Sequence, residues 1–216
     1  MARNLTNTSA PALPFAPTAY SREYQDILNN ILRIYLLSVD NAVNNLLSGA
    51  GGQYLAAPYG AFQDLTTQTT TANTAKAITF NTLDYANGVS LGTTGVPSTS
   101  RVYVEYPGIY NVQWSGQFVN TDSQLQDASV WVRINGSDFP GTTGYISVPN
   151  KHGAFDGHAI NAWNYFLQLN AGDYVELWWS ATSTQVAIKT YPVGVTPARP
   201  STASAIITVS FVSRLP

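Results

Sequence analysis

The sequence predicts a mainly β fold: an antiparallel sandwich of eight to ten strands, preceded by an extended arm and one long α-helix. Three observations carry that expectation. Residues 161–180, NAWNYFLQLNAGDYVELWWS, read as two strands that alternate side chains with a period of two on either side of Asn170-Ala171-Gly172-Asp173. From residue 57 onward, short alternating runs are separated by Gly, Pro and Asn turn signals at regular intervals. Residues 21–47, in contrast, contain neither Gly nor Pro and repeat apolar side chains at spacings of three and four.

Taken in order, residues 1–20 are rich in Ser, Thr, Asn, Pro and Ala. Pro11, Pro14 and Pro17 recur at every third position, which favours an extended, polyproline-like arm carrying Leu5, Leu13 and Phe15 among small residues. The helix is expected over 21–48, with Ser21 as N-cap and Glu23 and Asp26 in the early turns, where the helix dipole favours them. Tyr24, Leu28, Ile31, Tyr35, Val39, Ala42 and Leu46 form one stripe, and Ile27, Ile34, Leu36 and Val43 widen it. A helix that apolar must pack against copies of itself or be held by another protein, with a helix lying on its own β domain as the plainer alternative. Ser48-Gly49-Ala50-Gly51-Gly52 stops it, and 49–56 reads as a Gly-rich joint ahead of a β domain over 57–216.

Within that domain, strands are expected at 59–68, 77–81, 83–86 and 89–91, the last two forming a hairpin on Asn87-Gly88. A loop over 93–99 leads to strands at 101–106 and 109–120. In the latter, Tyr110, Val112, Trp114, Gly116 and Phe118 share a dry face, and Asn111, Gln113, Ser115 and Gln117 a wet or interfacial one. Strand 128–134 follows the polar loop 122–127. A Gly- and Pro-rich excursion over 137–159 holds one short strand at 145–148. The paired stretch 161–180 is read as a hairpin, because Asn170-Ala171-Gly172-Asp173 has the residues that adopt positive φ. Strand 185–190, a Pro-rich loop over 191–200 and a last strand at 204–212 complete the domain. The near-continuous AIITVSFV of that strand suggests burial on both faces.

The totals narrow the function. The 216 residues suffice for one self-supporting β domain plus an appendage. With no cysteine there is no disulfide, thiolate metal site or thiol nucleophile. Ten basic and twelve acidic residues give a net charge of -2, which argues against nucleic-acid binding. No run approaches the length of a membrane span, and the opening MARNLTNTSAPALP lacks the apolar core of an export signal. No nucleophile elbow or phosphate loop is present, and no cofactor is expected. His152, Asp156 and His158 in KHGAFDGH form a weak candidate metal cluster, with full solvation as the plainer reading. Tyr103, Trp131 and Tyr145 could stack on sugars, although packing is the simpler role for each.

Gly108-Ile109-Tyr110-Asn111-Val112, then Leu169-Asn170-Ala171-Gly172-Asp173-Tyr174-Val175-Glu176-Leu177, then an apolar final strand, resemble in order the signatures of the complement-type and tumour-necrosis-factor-like jelly roll, over about residues 57–213. The resemblance implies a ten-stranded jelly roll that associates as a compact trimer, with one aromatic face of the 161–180 stretch at a subunit contact. Phe166, Tyr174, Trp178, Trp131 and Tyr145 are then the trimer-contact or outer-face aromatics.

A second likeness is to head domains of bacteriophage virion proteins. It is carried by Tyr59-Gly60-Ala61-Phe62-Gln63-Asp64, Phe80-Asn81-Thr82, Asn87-Gly88-Val89-Ser90 and Trp163-Asn164-Tyr165. Leu13-Pro14, Pro17, Tyr20, Tyr24, Leu28, Asn29, Leu32, Tyr35, Asp40 and Asn41 are similar to the leading segment of structural proteins from short-tailed phages of marine and cyanobacterial hosts. Leu36-Leu37-Ser38-Val39 departs from that segment in being more apolar. This likeness implies a non-enzymatic virion protein on the particle exterior. Leu13, Phe15, Tyr20, Tyr24, Leu28, Ile31, Leu32 and Tyr35 would anchor it to a capsid, portal, adaptor or tail component. With no long shaft between joint and head, a compact capsid- or tail-bound appendage is expected. The alternative is a receptor-binding adhesin that recognises a host glycan or surface protein.

Overall fold

The computed structural model describes residues 11–47, 57–93, 98–213 and Leu215. The expected joint at 49–56, the tip of the 93–99 loop and the start of the arm, Leu5 included, lie outside them. The chain divides into two compact units between Ala56 and Ala57.

In the first unit, α1 spans Arg22–Leu47. Ser21 caps it: the Tyr24 N–H donates to Ser21 Oγ at 3.2 Å, satisfying one of the donors a helix start leaves open. The positions that the spacing placed on one stripe, Tyr24, Leu28, Ile31, Tyr35, Val39 and Ala42, are the half-buried ones. Ile27, Leu32, Ile34, Leu36, Leu37 and Val43 stand exposed around them. The arm has no regular secondary structure over 11–20. It meets the first turn of the helix where the Tyr24 hydroxyl donates to the Pro14 carbonyl at 3.2 Å.

The second unit holds sixteen strand segments among the described residues. They are β1 (Tyr59–Asp64), β2 (Gln68–Thr69), β3 (Lys76–Ala77), β4 (Thr82–Asn87), β5 (Val89–Leu91), β6 (Val102–Val104), β7 (Gly108–Asn120), β8 (Gln126–Ile134), β9 (Ser137–Asp138), β10 (Gly144–Val148), β11 (Gly157–Leu169), β12 (Tyr174–Ala181), β13 (Val186–Ile188), β14 (Gly194–Val195), β15 (Ala198–Arg199) and β16 (Ala205–Ser213). Two seven-stranded antiparallel sheets pack face to face. The first runs β2-β13-β7-β16-β1-β4, with β11 on the other edge of β7. The second runs β10-β8-β12-β6-β5, with β3 and β9 at its margins. β14 and β15 form a separate hairpin in the 191–200 loop. Because most connections cross from one sheet to the other, this is a double-sheet sandwich of jelly-roll type.

β7 organises the first sheet. Its residues 108–120 pair with the whole of β11 along one edge and with β16 and then β13 along the other. Tyr110, Val112, Trp114 and Phe118 are buried, as their period of two requires. Opposite them lie Val175, Leu177 and Trp179 of β12, and the Trp179 and Phe118 rings meet edge to face at 6.0 Å. Tyr110 donates its hydroxyl to the Tyr106 carbonyl at 2.7 Å, and burial pushes its pKa up to about 12.

Several expected elements are corrected. The count of eight to ten strands merges or omits short segments, because two- and three-residue bridges leave little periodicity to read. The 161–180 stretch is not a hairpin: β11 pairs with β7 in the first sheet, and β12 with β8, β6 and β3 in the second. Asn170–Asp173 is instead a corner between sheets. It is closed by the Asn170 N–H on Asp173 Oδ2 at 2.7 Å, with Gly172 at φ +84°. Asn87-Gly88 is likewise a corner, since β4 pairs with β1 and β5 with β6. The expected strand 59–68 stops at Asp64, whose buried carboxylate accepts from the Thr66 N–H, the Thr79 hydroxyl and the Asn81 amide and turns the chain away. β16 is buried on one face only; Ile206 and Val212 point outward.

One close approach depends on glycine. A Cβ at Gly144 in β10 would lie 2.3 Å from the Trp163 ring of β11, so the indole rests on the bare backbone and covers the open margin between the sheets. Gly144→Ala is expected to lower stability by about 1–3 kcal/mol through overpacking. Adding Trp163→Ala should recover part of that loss, so the two changes will be non-additive in a chemical-denaturation cycle.

Candidate functional site

Three surfaces differ in chemistry. The first is the exposed face of the β11-β7-β16-β1 sheet. Successive rows across it read Ala162-Ser115-Ile206-Gln63, Asn164-Gln113-Thr208-Ala61 and Phe166-Asn111-Ser210-Tyr59. These three rows contain no charged residue. Ile160 and Phe166 on β11 and Ile206 on β16 stand out of it, at 75%, 63% and 41% exposure. β11 is an edge strand, paired only with β7 among the described residues, so it presents a thirteen-residue row of backbone groups beside this neutral face.

The second surface is the exposed face of the other sheet, where aromatic and ionic side chains interleave. Trp131 and Trp178 are directly opposed, as are Arg133 with Glu176 and Tyr103 with Tyr174. The Arg133 guanidinium sits 4.3 Å from the centre of the Trp178 ring, and that of Arg101 4.7 Å from the Tyr174 ring. The Tyr103 and Tyr174 rings meet at 5.0 Å, tilted by 46°. The Glu176 carboxylate is buried; it accepts from the Ser100 hydroxyl at 3.1 Å and pairs with Arg101 Nε at 3.4 Å. The Trp131 indole N–H donates to Asp138 Oδ1 at 2.8 Å, and Arg133 Nε lies 3.1 Å from the same oxygen. Tyr145, on β10, projects into solvent at 78% exposure.

The third surface is the arm and helix. Leu13, Phe15 and Tyr20 are exposed, Phe15 completely. Of the other expected anchor residues, Tyr24, Leu28, Ile31 and Tyr35 lie on the half-buried stripe and Leu32 beside it.

The aromatics expected at a trimer contact or outer face therefore separate. Phe166 lies in the charge-free rows of the first face; Tyr174, Trp178, Trp131 and Tyr145 lie on the ionic face. Sequence reading passed over Ile160 and Ile206 on the first face, and over Arg133 and Asp138 on the second. No linear spacing reveals these groups, because cross-strand register brings them together.

His152, Asp156 and His158 do not converge. Asp156 accepts a hydrogen bond from Lys189 at 3.2 Å, the His158 ring lies edge-on to Tyr191 at 5.8 Å, and His152 forms a backbone bridge with Phe155. Burial works against the Lys189 ammonium, but Asp156 and Tyr191 together hold its pKa above the ordinary lysine value. Among the described residues, no three His, Cys, Asp or Glu side chains could hold a metal, and no helix is long and apolar enough to cross a membrane.

No family model matches this chain, and no curated protein does. Among solved structures, one titled "Structure of Eiger TNF from S. frugiperda" is similar over 74% of this chain and 96% of that one, at 12% identity and a TM-score of 0.49. A likeness of that degree carries nothing about activity, partners or assembly.

On the ionic face, Arg101→Ala should strand the buried Glu176 carboxylate with Ser100 as its remaining donor and cost about 1–3 kcal/mol. Combining it with Glu176→Gln should recover much of the loss in the same denaturation assay, because no buried charge is then left without its counter-ion.

Proposed function

We propose that the chain is a non-enzymatic structural protein of a phage particle: a homotrimeric appendage on capsid or tail, held by its arm and helix, with the sandwich facing outward. The observation that carries this reading is the unequal finish of the two units. The sandwich closes its own core and coats itself mainly with neutral polar groups, whereas the helix exposes Ile27, Ile34, Leu36, Leu37 and Val43 on more than one side. An apolar surface of that extent on a helix of 26 residues calls for a protein partner. The likeness of the leading segment to anchoring segments of short-tailed phage proteins supplies the class of partner: a capsid, portal, adaptor or tail component.

The three charge-free rows across β11, β7, β16 and β1 support the trimer. Removing Ser, Thr, Asn and Gln side chains from water costs far less than removing ions, and Ile160, Phe166 and Ile206 contribute apolar area to the contact.

Deleting residues 1–47 is expected to leave a soluble, folded head that no longer joins particles, and Ile31→Asp with Tyr35→Asp should do the same with the head's melting temperature unchanged. Incorporation of the truncated head would refute the anchor. Independently, Phe166→Asp should convert a sedimenting trimer to monomer at micromolar concentration. A wild-type chain that sediments as a monomer refutes the trimer.

A further inference from the structure

We propose that the exposed face of the β10-β8-β12 sheet binds a neutral polysaccharide, with Trp131 and Tyr145 as its stacking platform. This inference stands apart from the anchor and the trimer, neither of which uses this face.

The argument starts from ring placement. Tyr145 in β10 is opposite Ser129 in β8, and Trp131 lies two residues further along the same face of β8. Tyr145 and Trp131 are therefore diagonal neighbours, at a spacing where large side chains form one continuous surface. Trp131 in turn is opposite Trp178, so three rings run obliquely across three strands. Their roles differ. Trp178 is covered by the Arg133 guanidinium at 4.3 Å and is committed to packing. The indole N–H of Trp131 is tied to Asp138, which holds the ring against rotation. Tyr145 is 78% exposed, and its ring contributes little to the core. Trp131 is half-buried and Tyr145 exposed, and a fixed ring beside a free one on a rigid sheet suits a ligand with flat apolar faces.

The polar groups at the margin select the ligand class. Asp127 accepts from Ser147 at 2.7 Å, Asp138 from Trp131, and Arg133 has its guanidinium between Trp178 and Asp138. Around the two rings the formal charges are thus Asp127, Asp138 and Arg133, with the buried Glu176 diagonal to Trp131 and paired to Arg101. There is no surplus cation for a sulfated or uronic-acid chain, and none for a nucleic-acid backbone. What remains is rings for the C–H faces of pyranoses and carboxylates able to accept from their hydroxyls, which matches a neutral hexose polymer. A protein partner would need an apolar centre that excludes water, and here that centre is interrupted by Ser129, Asp127 and Ser147.

The test uses the full-length protein in affinity electrophoresis through gels containing glucan, mannan, galactan or neutral host-wall polysaccharide, with dextran sulfate and hyaluronan as anionic controls. At least one neutral polymer is expected to retard migration. Tyr145→Ala should weaken that retardation about tenfold, as loss of one stacked ring implies, and Tyr145→Phe should preserve it. Trp131→Ala should abolish it; its melting curve is checked because its indole also holds Asp138. Tyr145→Ala carries the test if Trp131→Ala misfolds. No retardation by any neutral polymer overturns the proposal. So does retardation that Tyr145→Ala leaves intact, and so does binding confined to the anionic gels.

Discussion

The sandwich depends on strict alternation along β7. Residues 108–118 keep a period of two, and Val119 and Asn120 are both buried at the strand's end, while the strand pairs with β11 along one edge and with β16 and β13 along the other. A slip of one residue would send Tyr110, Val112, Trp114 and Phe118 to the exposed face and Asn111, Gln113, Ser115 and Gln117 into the core. Burying four polar side chains and exposing four large apolar ones exceeds anything the turns could compensate. Both neighbours inherit their register from this one strand. That is why β11 shows Phe166 beside Asn111, and β16 shows Thr208 beside Gln113.

The same alternation explains what could be read from the chain alone. The faces of β7, β11 and β12 were legible because each is long and each turns one side to the core. Strand partners were not legible. Asn87-Gly88 and Asn170–Asp173 have residues that tolerate positive φ, and Gly88 and Gly172 adopt it, at +65° and +84°. That chemistry bends the chain without deciding whether the next strand returns alongside the last or crosses to the opposing sheet. The choice is made at a distance: β8 occupies one edge of β12 and β6 with β3 the other, so β12 has no edge left for β11, whose outer edge stays open among the described residues. AIITVSFV misled in a related way. Hydrophobicity indicates how dry a residue tolerates being, and Ile206 can sit at 41% exposure on a face of Ser, Thr and Gln.

Splitting 161–180 between two sheets also places its aromatics on separate surfaces. Phe166 and Trp178 never share a surface. Phe166 belongs to a row of neutral side chains, where desolvation is cheap, and the carboxylate of Asp84 meets this face only at its β4 margin, through Gln63. Trp178 belongs to a face where Arg133, Glu176, Arg101 and Asp138 are already matched among themselves. Covering that second face with protein would remove solvent from several charges at once, a cost their mutual pairing offsets only in part. A hydrated ligand leaves water around those charges. The physical distinction between the faces is therefore dry against wet, although both carry exposed rings.

The helix follows another constraint. Its half-buried stripe repeats at intervals of eleven: Tyr24 with Tyr35, Leu28 with Val39, Ile31 with Ala42. An eleven-residue period overshoots a whole number of α-helical turns by about 20°, where a heptad falls about 20° short, so the nearly straight stripe drifts in the sense opposite to a left-handed supercoil. A straight stripe suits an extended segment or a shallow groove better than a left-handed coiled coil, which requires heptads. The arm makes a first use of it at Tyr24, where the phenol reaches the Pro14 carbonyl. The apolar residues flanking the stripe stay exposed. A single helix held through such a groove would dissociate readily, because ordering its long side chains opposes much of the burial energy. In the proposed trimer, three helices carried by one head would have to let go together, and attachment would persist through effective concentration without any one contact being tight.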